Sequence, residues 1–268
     1  MKNNLLIIIP FFNDSSQLVK SLKTIEEDIM VDVLLIDDGS DKNFHIPTVK
    51  ELNRCISKIK YIRNERNLGI SKTLNIGLEY SKKKQYKFIA RLDAGDFFYK
   101  NKLTKQYNYL IENKETKLLG TWARVIDTNG KFLYHLKHPT EYNKIKKKMF
   151  INSMFIHPSV VFSSDILKKI NLYPTNYKAA EDYAFFFKVI NEFKSENYPE
   201  ILMDYTISEE SISSKLRNTQ VINRLRIIID NFKLGFYPLY GILRNIALLF
   251  LSRRVTTALK AIKIKANE

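Results

Sequence analysis

Apolar runs broken at regular intervals by short polar stretches dominate the first hundred residues. The runs at 4–12 (NLLIIIPFF), 31–40 (VDVLLIDDGS), 59–65 (IKYIRNE) and 86–96 (YKFIARLDAGD) predict buried strands. Between them lie three segments with apolar residues at helical spacing. The first, 15–29, opens on a serine cap and carries Leu18, Leu22 and Ile25 on one face; the others are 47–58 and 69–83. Strand and helix alternating at this spacing predict an α/β protein with a mostly parallel central sheet flanked by helices.

The second half is less regular. Residues 118–136 predict two strands around the Asn129-Gly130 turn, 141–150 a basic helix, 153–164 another strand and 179–193 a helix with acids in its first turn. From about Thr219 onward the pattern is helical, with basic residues alternating with FYPLYGIL, IALLFL and ALKAIKI. The expected organisation is therefore 1–115, 116–218 and a basic amphipathic helical region at 219–268.

Such a sheet binds ligands at the carboxyl ends of its strands. Those ends carry Pro10 to Asn13, then Asp37, Asp38 and Ser40, then Arg63 and Asn67, then Arg91, Asp93 and Asp96. Any one of them reads as a cap or turn former, but four successive strand ends with polar groups on one edge favour a shared site. Strand one is not followed by a glycine-rich dinucleotide turn, and neither a Walker A sequence nor a G-x-S-x-G elbow is present. The carboxylate pair Asp93 and Asp96 suits an oxygen-ligated divalent cation, Mg²⁺ or Mn²⁺, that would hold a diphosphate.

Composition adds two things. A single cysteine, Cys55, excludes an internal disulfide framework and favours a reducing, cytoplasmic setting. Lys2 ahead of an apolar run resembles a leader, but Pro10 interrupts the run, so a buried first strand is the better reading. A formal net charge of +16 asks for an anionic partner. The apolar and cationic C-terminal region favours an anionic membrane surface over nucleic acid. A non-catalytic basic binding protein for nucleic acid or membrane is the alternative.

The segments IIIPFFN, VLLIDDGSDKN, RNERNLGISKTLNIGLEYSKKKQYKFIARLDAGD, IHPSVVF and AAEDY resemble, in order and spacing, the inverting family-2 glycosyltransferases with the GT-A fold. The resemblance spans roughly residues 4–215. It implies a Rossmann-like nucleotide-sugar half followed by an acceptor half, a UDP-sugar donor and a lipid-linked saccharide acceptor. It implies peripheral attachment to the inner membrane face and a role in bacterial O-antigen, capsule or lipooligosaccharide synthesis.

Carried over by position, Pro10, Phe11, Asn13, Asp38, Asn67, Gly69, Ser71, Arg91 and Asp93 contact the donor. Asp38 takes the base N–H, and Asp93 and Asp96 hold Mn²⁺ or Mg²⁺. Asp182 resembles the family's general base, with Glu181 orienting it or contacting the acceptor. His157 falls near the active site, and Ser213, Lys215 or Arg217 could close over the diphosphate. Gly95 departs from the pattern, standing where a further aspartate is commoner.

Overall fold

The computed structural model describes residues 3–41, 45–208 and 215–251. Its centre is a mixed nine-stranded sheet in the order β3-β2-β1-β4-β8-β6-β9-β5, with β7 paired to β6. The strands are β1 Leu5–Phe11, β2 Val31–Asp37, β3 Ile56–Arg63, β4 Phe88–Arg91, β5 Phe97–Phe98, β6 Thr116–Ile126, β7 Phe132–Leu136, β8 Val161–Ser163 and β9 Lys194–Thr206. The sheet is parallel through β3, β2, β1 and β4, as the alternating pattern predicts. Beyond β4 the antiparallel β8 turns it over into the second half, where β6 and β9 run parallel to each other.

The unbroken apolar run of β1 has a simple cause. Its side chains alternate between two cores: Leu6 and Ile8 point to one, and Leu5, Ile7, Ile9 and Phe11 to the other. β2 alternates in the same way, with Leu34 and Ile36 opposite Val31, Val33 and Leu35. The first core is covered by α2 (Ile70–Lys84) and α6 (Glu181–Glu192), the second by α1 (Ser15–Lys23) and α3 (Lys102–Glu112). The remaining helices are α4 (Tyr142–Lys148), the one-turn α5 (Leu167–Ile170), α7 (Arg217–Asp230) and α8 (Phe236–Phe250).

Four expectations change. The predicted helix at 47–58 is a single 3₁₀ turn at Val49–Glu51, and β3 starts at Ile56. Asn53 ends the turn by donating to the carbonyls of Lys23 and Ile25 (3.0 and 2.8 Å). The fourth strand stops at Arg91, where Asp93 and Asp96 begin a turn. The strand expected at 153–164 is confined to Val161–Ser163. The boundary expected at 219 falls inside α7, whose Ile227 and Ile228 lie in the same core as α6.

α8 packs its narrow side inward. A Cβ on Gly241 would stand 2.0 Å from the Phe150 carbonyl oxygen, so only glycine permits this approach. The opposite side carries Phe236, Leu239, Leu243, Ile246 and Phe250, one stripe at helical spacing; Leu243 is 67% and Phe250 85% exposed. Among the described residues no helix is long and apolar enough to cross a membrane.

Candidate active site

The carboxyl ends of β1 and β2 are laced together. Asn13 takes a left-handed conformation (φ 54°); its backbone N–H donates to Ser40 Oγ at 2.9 Å. Its amide exchanges hydrogen bonds with Asp41, Nδ2 to Oδ2 at 2.7 Å and Asp41 N–H to Oδ1 at 2.9 Å. Of the two aromatics, Phe11 is core and Phe12 is 44% exposed at the strand end. Phe12 lies just past the end of β1 and is the exposed ring there, a residue that the motif reading passed over. Pro10 is buried within β1.

Asp37 is fully buried; it accepts from Ser40 N–H (2.8 Å) and Tyr61 O–H (2.9 Å). Asp38 is held by the chain itself. Its carboxylate accepts from Asn64 Nδ2 (2.8 Å), Leu68 N–H (2.9 Å) and Gly69 N–H (2.9 Å), which fixes the loop at the start of α2. It thereby shapes the loop that leaves Asn67 exposed, with Ser71 half-buried in the first turn of α2.

The turn after β4 separates the two aspartates. Asp93 is 37% exposed and ion-paired with Arg91. Asp96 is buried; it accepts from Thr206 N–H (2.8 Å) at the end of β9, while Thr206 Oγ1 donates to the Gly95 carbonyl (2.5 Å). Burial and the charge of Asp93 raise the Asp96 pKa well above the carboxylate range. Gly95 stands at φ +94°, a conformation that favours glycine, which accounts for the missing aspartate there.

These groups fit Mg²⁺ or Mn²⁺. Two carboxylates crowd together without enough positive charge, and their hard oxygens match either ion. Among the described residues no three His, Cys, Asp or Glu side chains stand close enough together to hold a metal ion by themselves, so a cation would take its other ligands from the donor diphosphate and water.

Arg91 is the hub. It is 1% exposed, and its Nε and Nη1 have no hydrogen-bond partner among the described residues. Its charge acts on Asp96, on Glu181 and Asp182 at the start of α6, and on His157 and Tyr173. The carboxylates after β4 and those at the start of α6 therefore lie around one buried guanidinium. Tyr205, near the end of β9, faces Asp93, Asp96 and Asp182 together. Tyr173 donates or accepts at 2.9 Å with His157 Nε2 and stacks on Phe185 at 4.1 Å. Neither tyrosine lies in a recognisable motif. Burial and Arg91 push His157 well below its ordinary pKa, which favours the neutral ring.

Asp182 turns back on its own helix, Oδ1 accepting from Tyr183 N–H at 2.7 Å, and burial raises its pKa. Ahead of it, Ala179 adopts φ 61°, a left-handed conformation uncommon for alanine. α7 secures that bend: Gln220 Nε2 donates to the Ala179 carbonyl (2.9 Å) and Asn223 Nδ2 to that of Lys178 (2.8 Å).

Of the basic residues expected to close over a diphosphate, Arg217 is committed elsewhere. Its Nη2 donates to Leu248 and Leu251 carbonyls (3.0 Å each) at the C-terminal end of α8, where a cation is favoured. Lys215 lies exposed just before α7, and Ser213 lies outside the described residues.

Glu181 supplies a prediction. Burial and the neighbouring Asp182 raise its pKa from 4.5 to about 7. The folded chain therefore holds this proton more tightly than the unfolded one, so stability falls as pH rises from about 4.5 to about 7 and stays reduced above that. Glu181→Gln is expected to raise Tm at pH 8 and to change it little at pH 4.5; calorimetry at the two pH values reads the difference.

The sheet is parallel from β3 to β4, a carboxylate turn follows β4, and the acids at the start of α6 share the Arg91 charge with that turn. The chain belongs to glycosyl transferase family 2, which it matches over residues 6–170. It is 31% identical over 196 residues to the O-antigen biosynthesis glycosyltransferase WbnJ of Escherichia coli, covering 69% of this chain and 75% of that one. It is 28% identical over 215 residues to WfgD of the same organism, a UDP-Glc:alpha-D-GlcNAc-diphosphoundecaprenol beta-1,3-glucosyltransferase, covering 78% and 79%.

Two solved structures share the GT-A architecture. S. aureus TarS in complex with UDP-GlcNAc superimposes with a TM-score of 0.61 at 18% identity over 88% of this chain and 69% of that one. The mannosyltransferase PcManGT of Pyrobaculum calidifontis, in complex with GDP-Man and Mn²⁺, gives 0.63 at 15% over 100% and 76%.

Proposed function

We propose that the protein transfers a sugar from a UDP-sugar to a hydroxyl of a lipid-linked saccharide, with inversion, in the assembly of a bacterial O-antigen, capsule or lipooligosaccharide. The observation that carries this reading is the convergence of Asp93, Asp96, Glu181 and Asp182 around the buried Arg91. Names of relatives that use UDP-sugars and diphosphoundecaprenol acceptors support the substrate classes.

Phe12, Asn13, Asn67 and Ser71 line the nucleoside end, and Asp93 and Asp96 would hold Mn²⁺ or Mg²⁺ against the diphosphate. When bound, the cation neutralises the charge that develops on the departing nucleoside diphosphate. Asp182 accepts the proton of the attacking hydroxyl, its raised pKa making it a stronger base than an exposed aspartate. Glu181, beside it, sets its charge and orientation. Attack occurs opposite the leaving group in one displacement, so the anomeric configuration inverts.

The exposed apolar stripe of α8 and the net charge of +16 support a peripheral position on the inner, anionic face of the cell membrane, without a nucleic-acid partner. The test is incubation with UDP-glucose, UDP-galactose and UDP-GlcNAc on a GlcNAc-diphosphate-alkyl acceptor, followed by NMR of the product. The expected product of an α-linked donor is β-linked; an α-linked product would eliminate the single displacement.

A further inference from the structure

The helices that follow the acceptor half bring two arginines to one side of Asp182. Arg224 lies near the middle of α7 and Arg244 on the inner side of α8, both half-buried. Arg224 stands beside Asp182, Tyr183 and Arg244, so two like charges share one partly desolvated place. Both backbones are fixed there. Next to Arg224, Asn223 donates to the Lys178 carbonyl; Arg244 donates to the Ile151 carbonyl (3.1 Å), one turn after the Gly241 contact and beside the buried Asn245.

Among the described residues neither arginine forms an ion pair with a carboxylate within 4.0 Å, Asp182 acting on Arg224 only from further away. Two guanidiniums held together with so little compensation favour an anion between them. The charges that act most on Asp96 are Asp93, Arg91 and Asp204, whereas those that act most on Asp182 are Arg224 and Arg91. Arg224 and its neighbour Arg244 therefore belong with Asp182, on the helices whose outer face is the apolar stripe.

We propose that Arg224 and Arg244 bind the diphosphate of a lipid-diphosphate-linked saccharide acceptor, between Asp182 and the apolar stripe of α8. This rests on the glycosyltransfer reading and deepens it. In such an acceptor the attacking hydroxyl and the diphosphate lie at opposite sides of one sugar ring, and the hydrocarbon chain leaves from the diphosphate. The protein presents a base, a pair of planar cations suited to phosphate oxygens and an apolar surface in that same order. The diphosphate becomes a determinant of specificity: a neutral glycoside leaves the two arginines uncompensated.

The test compares two acceptors in detergent micelles free of phospholipid, GlcNAc-diphosphate-dodecyl and the uncharged dodecyl GlcNAc glycoside. Wild type is expected to favour the diphosphate, and Arg224→Gln/Arg244→Gln to reduce the ratio of the two kcat/KM values about 100-fold. Arg224→Lys/Arg244→Lys, which retains charge without the planar fork, serves if the glutamine pair fails to fold, with about a tenfold reduction expected. A ratio that survives substitution overturns the proposal.

So does a parallel loss of UDP-induced thermal stabilisation, which would assign the pair to the donor. If wild type transfers to neither acceptor, the glycosyltransfer reading fails by itself. Calorimetric binding of dodecyl diphosphate then decides the arginine site separately: binding that the double variant loses supports it, and no binding overturns it.

Discussion

An Asp182→Asn enzyme is expected to bind UDP-sugar as wild type does and to transfer about 10²- to 10⁴-fold more slowly, the range in which general bases contribute. Asparagine keeps an oxygen for the Tyr183 N–H, so the start of α6 is preserved while the proton acceptor is lost. Single-turnover transfer rates at saturating donor, set beside the thermal shift with UDP, separate chemistry from binding. Undiminished transfer would remove Asp182 from the mechanism, and Glu181→Gln assayed in parallel shows whether the base lies one residue earlier.

Asp93→Ala and Asp96→Ala are expected to fail in different ways. Asp93 is the more exposed of the two aspartates proposed to hold the cation; its loss is expected to abolish the part of UDP stabilisation that requires Mn²⁺ and to lower transfer about 10³-fold, as several kcal/mol of transition-state stabilisation implies. Asp96 is buried against Thr206, and removing it leaves that N–H unpaired at a cost of about 1–3 kcal/mol. Its variant is therefore expected to melt earlier even without ligand. Thermal melts with and without UDP and Mn²⁺ test both, and an Asp93→Ala protein that retains the full Mn²⁺-dependent shift would exclude it from the cation site.

The sequence displays β1, β2 and the carboxyl-edge cluster openly because a strand buried on both faces is an almost unbroken apolar run, in β2 interrupted only by Asp32 and ended by Asp37. α3 and β9 stay hidden for the opposite reason. α3 buries Lys102 and Gln106, polar residues satisfied by each other and by the Ser159 and Leu119 carbonyls, so its inward face does not look apolar. β9 contains Pro199 and reads as a loop; the proline is accommodated where Tyr198 and Ile201 pair with consecutive residues Thr121 and Trp122, leaving 199 and 200 as a bulge.

Within the site, the ordered motifs locate Asp93 and Asp182, but motifs carry no account of which oxygen is already used. Only the folded chain shows Asp38 bound to the 64–69 loop, Asp96 to Thr206 and Arg217 to the end of α8. Tyr205 and Tyr173 reach the cleft through tertiary contacts that no local spacing announces.

β9 also bears on how such a protein can diversify. It runs along β6 in the acceptor half and then pairs with β5, beside the donor turn, where Thr206 grips both Gly95 and Asp96. Donor and acceptor selectivity are consequently not exchangeable modules: a recombination point at 115 would part Asp96 from the strand that holds it. Side chains on the loops and on α7 and α8 can vary without disturbing the strand that stitches the halves together.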